Sequence, residues 1–182
     1  MTIAKSVAVL TILAAIPLSA QAPQPRPPQT FTAYLQGQYA NIKSNLIRSA
    51  EKMPAEHFSF RPSPDVRTYG ELFGHTMEAQ YSYCANVKGG QNPGAGKAFE
   101  KVTDKATIVQ LVKDAFAYCD DAFAALTDAS ATEMITAGVA PNQRQLSRAN
   151  QLTQLVVHGN EHYGNIVTYM RIKGIVPPSS AQ

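Results

Sequence analysis

The segment Ser147–Lys173 restricts what this chain can fold into more than any other part of it. It contains no proline, and Leu155, His158, His162, Ile166 and Tyr169 recur along it at three- and four-residue steps. That spacing is one face of an α-helix. At 1.5 Å per residue the helix would be roughly 40 Å long. Gly174 stands where a left-handed C′ residue is expected, and Pro177-Pro178 follow as a stop. The stripe carries two imidazoles one turn apart, so it must pack against something that satisfies or uses them. Burying an imidazole without a partner costs desolvation free energy.

Three further segments repeat the helical period. The first runs from about Phe31 to Lys52, with Leu35, Ile42, Leu46 and Met53 on its inner face. The second opens on Thr68-Tyr69-Gly70-Glu71, a capping box in which hydroxyl and carboxylate reciprocally satisfy orphan amides. Its stripe is Leu72, His75, Thr76, Ala79, Tyr83 and Val87, and Gly89-Gly90 ends it. The third fits Asp104 to Leu126, with Ile108, Leu111, Val112, Ala115, Cys119 and Phe123 inward, and with Lys113, Asp120 and Asp121 on a solvated side. Between them lie a proline-punctuated loop from Pro54 to Arg67, a glycine-rich turn around Asn92–Gly96, and an irregular connection from Asp128 to Arg144. Within the last, Thr132–Ile135 is expected to form a helical turn. No alternating strand pattern of useful length is present. The expectation is an all-α fold, a four-helix bundle with long connections.

An export signal is expected to precede it. Lys5 supplies the positive n-region, Val7–Leu18 the apolar run, and Ala20-Gln21-Ala22 the small-x-small cleavage pattern. The expected organisation is a signal peptide at 1–22, a proline-rich spacer at 23–29, the helical domain at 30–176 and a tail at 177–182. Cleavage leaves 160 residues, enough for one core. The destination is periplasmic or extracellular, with no membrane association after cleavage. The formal net charge is +3, or +2 without Lys5, and neither sign is clustered. Nothing in it resembles a nucleic-acid groove or a membrane-binding helix. Cys84 and Cys119 match no zinc knuckle and no C-x-x-C motif. An oxidising compartment permits a bridge between them, but two separate buried thiols are the expectation.

His75, His158 and His162 all fall on inner faces, from two helices. Three neutral imidazoles suit a divalent transition metal and leave open positions for water or substrate. Zinc is favoured and nickel next. His57, in the proline-punctuated loop, is read as a surface residue. His158-Gly159-Asn160-Glu161-His162 also spells H-x-x-E-H, the inverted zinc-peptidase signature, with Glu161 as base. That chemistry needs a downstream carboxylate ligand, and Tyr163–Gln182 contains no Asp or Glu. A third ligand therefore comes from upstream.

The stretches M-P-A-E-H-F-S-F-R-P-S-P, T-Y-G-E-L-F-G-H and H-G-N-E-H-Y-G-N-I-V-T-Y-M-R-I-K-G-I-V-P-P resemble the DinB-like (DinB/YfiT) four-helix bundles over most of the mature chain. The resemblance implies a three-histidine metal site at His75, His158 and His162. It also implies kinship with thiol-dependent transferases and isomerases. Low-molecular-weight thiols belong to a reducing cytoplasm, so no thiol-binding residue is assigned to an exported chain. The expected function is metal-dependent hydrolysis or group transfer on an unidentified small molecule, with Glu78 and Tyr163 as acid/base candidates. The alternatives are a non-catalytic metal-binding module and a helical interaction module dimerising through an outer face.

Overall fold

The computed structural model describes residues 29–181. The expected signal peptide and nearly all of the proline-rich spacer lie outside them. Four helices dominate: α1 (Phe31–Lys52), α2 (Tyr69–Lys88), α3 (Lys105–Ala124) and α4 (Arg148–Ile172). Their starts follow the capping chemistry of the sequence. Thr30, Thr68, Asp104 and Ser147 each accept a bond from a backbone N–H of the first turn, and Thr68 with Glu71 forms the complete capping box. Gly89 ends α2 in the left-handed region at φ 65°, a conformation costly for any residue with a Cβ.

Neighbour choice follows from the connections. α1 packs on α3 and α4, and α2 packs on α3 and α4. The order around the core is therefore α1, α3, α2, α4, with α1 diagonal to α2 and α3 diagonal to α4. The long links at 53–68 and 125–147 carry the two diagonal steps. Leu46, Met53, Phe73, Met77, Ile108, Phe116, Leu155 and Ile166 are fully buried at the centre. Polar threads tie the helices together: the Tyr69 hydroxyl donates to Ser49 O at 2.9 Å, and the Tyr39 hydroxyl to Phe116 O at 2.9 Å. Asp120, expected on a solvated side, is half-buried and accepts from Tyr39 and from Lys43 at 2.7 Å. Among the described residues no helix is long and apolar enough to cross a membrane.

Two expectations are corrected. The connection before α4 is not wholly irregular: β1 (Met134–Ala137) and β2 (Arg144–Ser147) pair antiparallel, Met134 against Ser147 and Ala137 against Arg144. The helical turn expected at Thr132–Ile135 is a 3-10 turn at Ser130–Thr132 that gives way to β1. Strands of four residues show too few alternations to stand out from a loop. The second correction is that Cys84 and Cys119 are not separate thiols. They form a disulfide between α2 and α3, with Cα atoms 5.5 Å apart, within bridging range.

Candidate metal centre

His75 reaches inward from α2, and His158 and His162 from α4, the helix packed beside it. One ligand nitrogen from each ring lies within 4.8 Å of the other two. The ring centroids are 4.4 Å apart for His158–His162, 4.8 Å for His75–His162 and 5.3 Å for His75–His158. All three residues predicted from the sequence are therefore brought together. His57 sits in a 3-10 turn at Ala55–His57, apart from the cluster. Glu161 is exposed while its neighbour His162 is buried, so it does not turn into the cluster with the imidazoles.

The nitrogens are prepared to accept a cation. His75 Nδ1–H donates to Glu100 Oε1 at 3.0 Å. An ionised carboxylate only accepts, so in the neutral ring this bond places the proton on Nδ1 and the lone pair on Nε2. A carboxylate behind a histidine is the usual outer support of a metal-bound imidazole. His158 Nε2 and His162 Nε2 are 3.1 Å apart. That separation fits two nitrogens each at about 2.0–2.1 Å from one zinc ion. His162 Nδ1 is buried with no partner among the described residues, and it is the nitrogen that keeps the ring proton when Nε2 accepts a cation.

Burial, together with the neighbouring His162 and His75, pushes His158 down to about 4. Burial and then His75 lower His162 as well. Both rings are therefore neutral near pH 7, the form that binds metal. For Glu100, burial acts to raise the carboxyl, but Arg67 and His75 outweigh it and hold it below the usual range. Glu100 is thus a carboxylate when it orients His75.

Sequence reading missed Glu100 and Arg67. Glu100 lies on a 3-10 turn (Phe99–Lys101) in the α2–α3 connection, 25 residues after His75. Arg67 Nε donates to its second oxygen at 3.1 Å. No local pattern announces either residue; what places Glu100 is a close approach. A Cβ on Gly74 would stand 2.6 Å from the backbone of Phe99 and Glu100, so the turn can lie against α2 only beside a glycine. The two acid/base candidates have other occupations. Glu78 accepts from the Phe99 N–H at 3.0 Å and anchors the same turn. The Tyr163 hydroxyl donates to Ser179 Oγ at 2.9 Å and accepts from the Ser179 N–H at 3.0 Å, tying down the C-terminal segment.

A cleft of about 710 Å³ opens beside the cluster, with His162 and Glu100 in its wall and Arg61, Arg67, Leu72 and Tyr169 around it. That is the size range of a small-molecule site.

The family model describing the DinB superfamily matches residues 38–166. Solved structures share the fold. A DinB-like protein from Bacillus cereus is 22% identical, over 82% of this chain and 97% of that one, with a TM-score of 0.66. A DinB-like protein from Bacillus subtilis is 18% identical, over 82% and 99%, with a TM-score of 0.60. A mycothiol-dependent maleylpyruvate isomerase is 11% identical, over 74% of this chain and 60% of that one, with a TM-score of 0.59. No curated protein matches the chain in sequence.

Proposed function

Since this chain belongs to the DinB superfamily, we propose that it is an exported metalloprotein in which His75, His158 and His162 hold one divalent transition ion facing a substrate cleft. The observation that carries the reading is the convergence of three ligand nitrogens within 4.8 Å, one of them backed by a carboxylate. Neutral imidazoles suit zinc, nickel, copper or iron alike; zinc is the first expectation on general grounds, with nickel next. Such an ion, when bound, supplies Lewis acidity toward a water or a carbonyl oxygen. The chain does the rest. Glu100 keeps the His75 lone pair aimed inward, Arg67 keeps Glu100 charged, and the cleft beside His162 gives a small molecule access. That access favours hydrolysis or group transfer over a purely structural ion, which is ordinarily enclosed by four protein ligands.

Two features bear on the compartment and the cosubstrate. The Cys84–Cys119 disulfide fits an oxidising compartment and supports export. The isomerase among the structural relatives is named for its dependence on a thiol. A disulfide-bearing exported chain would meet little of such a thiol in reduced form, so water or another small nucleophile is the better reading for this protein.

The test is elemental analysis of the mature protein purified without a histidine tag. The expected result is close to one transition ion per chain, sharply reduced in His158→Ala and unchanged in the surface control Lys113→Ala. Lys113 makes only an exposed ion pair with Glu51. Equal metal in both variants would remove the site.

A further inference from the structure

Two guanidinium groups line the cleft that reaches His162, and neither has its full complement of partners. Arg67 uses Nε on Glu100, and its two terminal nitrogens make no hydrogen bond among the described residues. Arg61 makes no side-chain hydrogen bond among the described residues; it forms only a long ion pair, a terminal nitrogen 3.6 Å from a Glu71 oxygen that also accepts the Thr68 N–H at 2.7 Å. Arginines with idle donors on a concave surface are suited to a planar or tetrahedral oxyanion.

The loop that carries them is held still. Its ends are joined where the Tyr69 N–H donates to Phe60 O at 2.9 Å, and the Tyr169 hydroxyl donates to Arg67 O at 2.7 Å. The Phe60 ring packs edge-on to Tyr169 and lies under Lys173 Nζ, 3.7 Å from the ring centre. Pro62 and Pro64 fix two φ angles between the arginines. A loop stapled in this way loses little freedom when a ligand arrives. Leu72 and Tyr169 supply an apolar wall next to the charged end.

We propose that the cleft selects small anionic molecules, a carboxylate or phosphate group resting on Arg61 and Arg67 with the remainder of the molecule extending toward His162. This deepens the function proposed above and rests on it for the reaction, though anion binding by the arginines does not itself require metal. Three carboxylates also line the cleft. Glu71 and Glu100 are committed to the capping box and to His75 with Arg67, whereas the Asp65 carboxylate is uncommitted among the described residues and opposes an incoming anion.

The experiment is a calorimetric titration at low salt, on metal-free and zinc-loaded protein, with succinate, inorganic phosphate and the neutral succinamide as probes. Succinate or phosphate is expected to bind both forms and succinamide neither; the stronger of the two anions identifies the group. Arg61→Gln is expected to weaken anion binding about tenfold, as loss of a charge-assisted contact does, with its zinc content intact. Asp65→Asn is expected to tighten it two- to threefold (order of magnitude, for one exposed charge). Succinamide binding as well as succinate, or Arg61→Gln behaving as wild type in both forms, would overturn the proposal. Anion binding that persists in a protein unable to take up zinc would instead sink the metal reading and leave the arginine site standing.

Discussion

Replacing Glu100 tests whether the support behind His75 matters to metal binding. In the wild type a carboxylate accepts the His75 Nδ1–H at 3.0 Å. Glu100→Gln keeps an acceptor of the same shape and removes the charge. A hydrogen bond to a charged group contributes about 1.5–3 kcal/mol and a neutral one about 0.5–1.5, so the difference is about 1–1.5 kcal/mol. The His75 side chain is 28% exposed and that of Glu100 35%, and water screens part of the gain. The lower end is therefore expected, about 1 kcal/mol or fivefold in zinc affinity. Glu100→Ala removes the acceptor and frees the ring to turn, with about 10- to 100-fold expected, as for other outer-sphere partners. The assay is competition against a zinc-chelating dye at fixed pH and salt, with circular dichroism to confirm that each variant is folded. Arg67→Gln, which leaves the His75–Glu100 bond in place, should change zinc affinity less than Glu100→Ala. Wild-type affinity in a folded Glu100→Ala would refute the argument.

Because His158 is depressed to about 4 and His162 is also lowered, the unfolded chain binds more protons than the metal-free fold between those values and the ordinary 6.5. Metal-free protein should hold its stability above about pH 6.5 and lose it as pH falls toward 4. Urea midpoints should drop less steeply in His158→Gln, and parallel curves would contradict the burial argument. Gly74→Ala would force a Cβ to within 2.6 Å of the Phe99–Glu100 backbone. It should cost about 1–3 kcal/mol in denaturant melts and weaken zinc binding together, and zinc affinity unchanged beside lowered stability would separate the turn from the site. The Cys84–Cys119 bridge spans 35 residues, for which chain-entropy reasoning gives about 4 kcal/mol. Cys84→Ser/Cys119→Ser should melt correspondingly lower, and a melt like that of the oxidised wild type would show that the bridge does not stabilise the fold.

Much of the protein was legible locally. Helix bounds follow from caps and from a 3.6-residue apolar period, both of which act within a few residues along the chain; Thr68 with Glu71 and Gly89 are instances. His158 and His162 face the same way because they are one turn apart, and His75 shares the apolar stripe of α2, so all three inward directions could be read without a fold. What the linear order leaves open is which helices become neighbours. α2 lies beside α4 and diagonal to α1, and only that arrangement brings His75 onto the other two rings. The same holds for contacts made across space by residues with no periodic signature. Cys84 meets Cys119, Glu100 reaches His75 past a glycine, and a loop closed between Phe60 and Tyr69 carries Arg61 and Arg67 to the cleft. Backbone geometry repeats along the chain and can be counted there; packing joins distant positions through side-chain shape, and only the folded protein decides it.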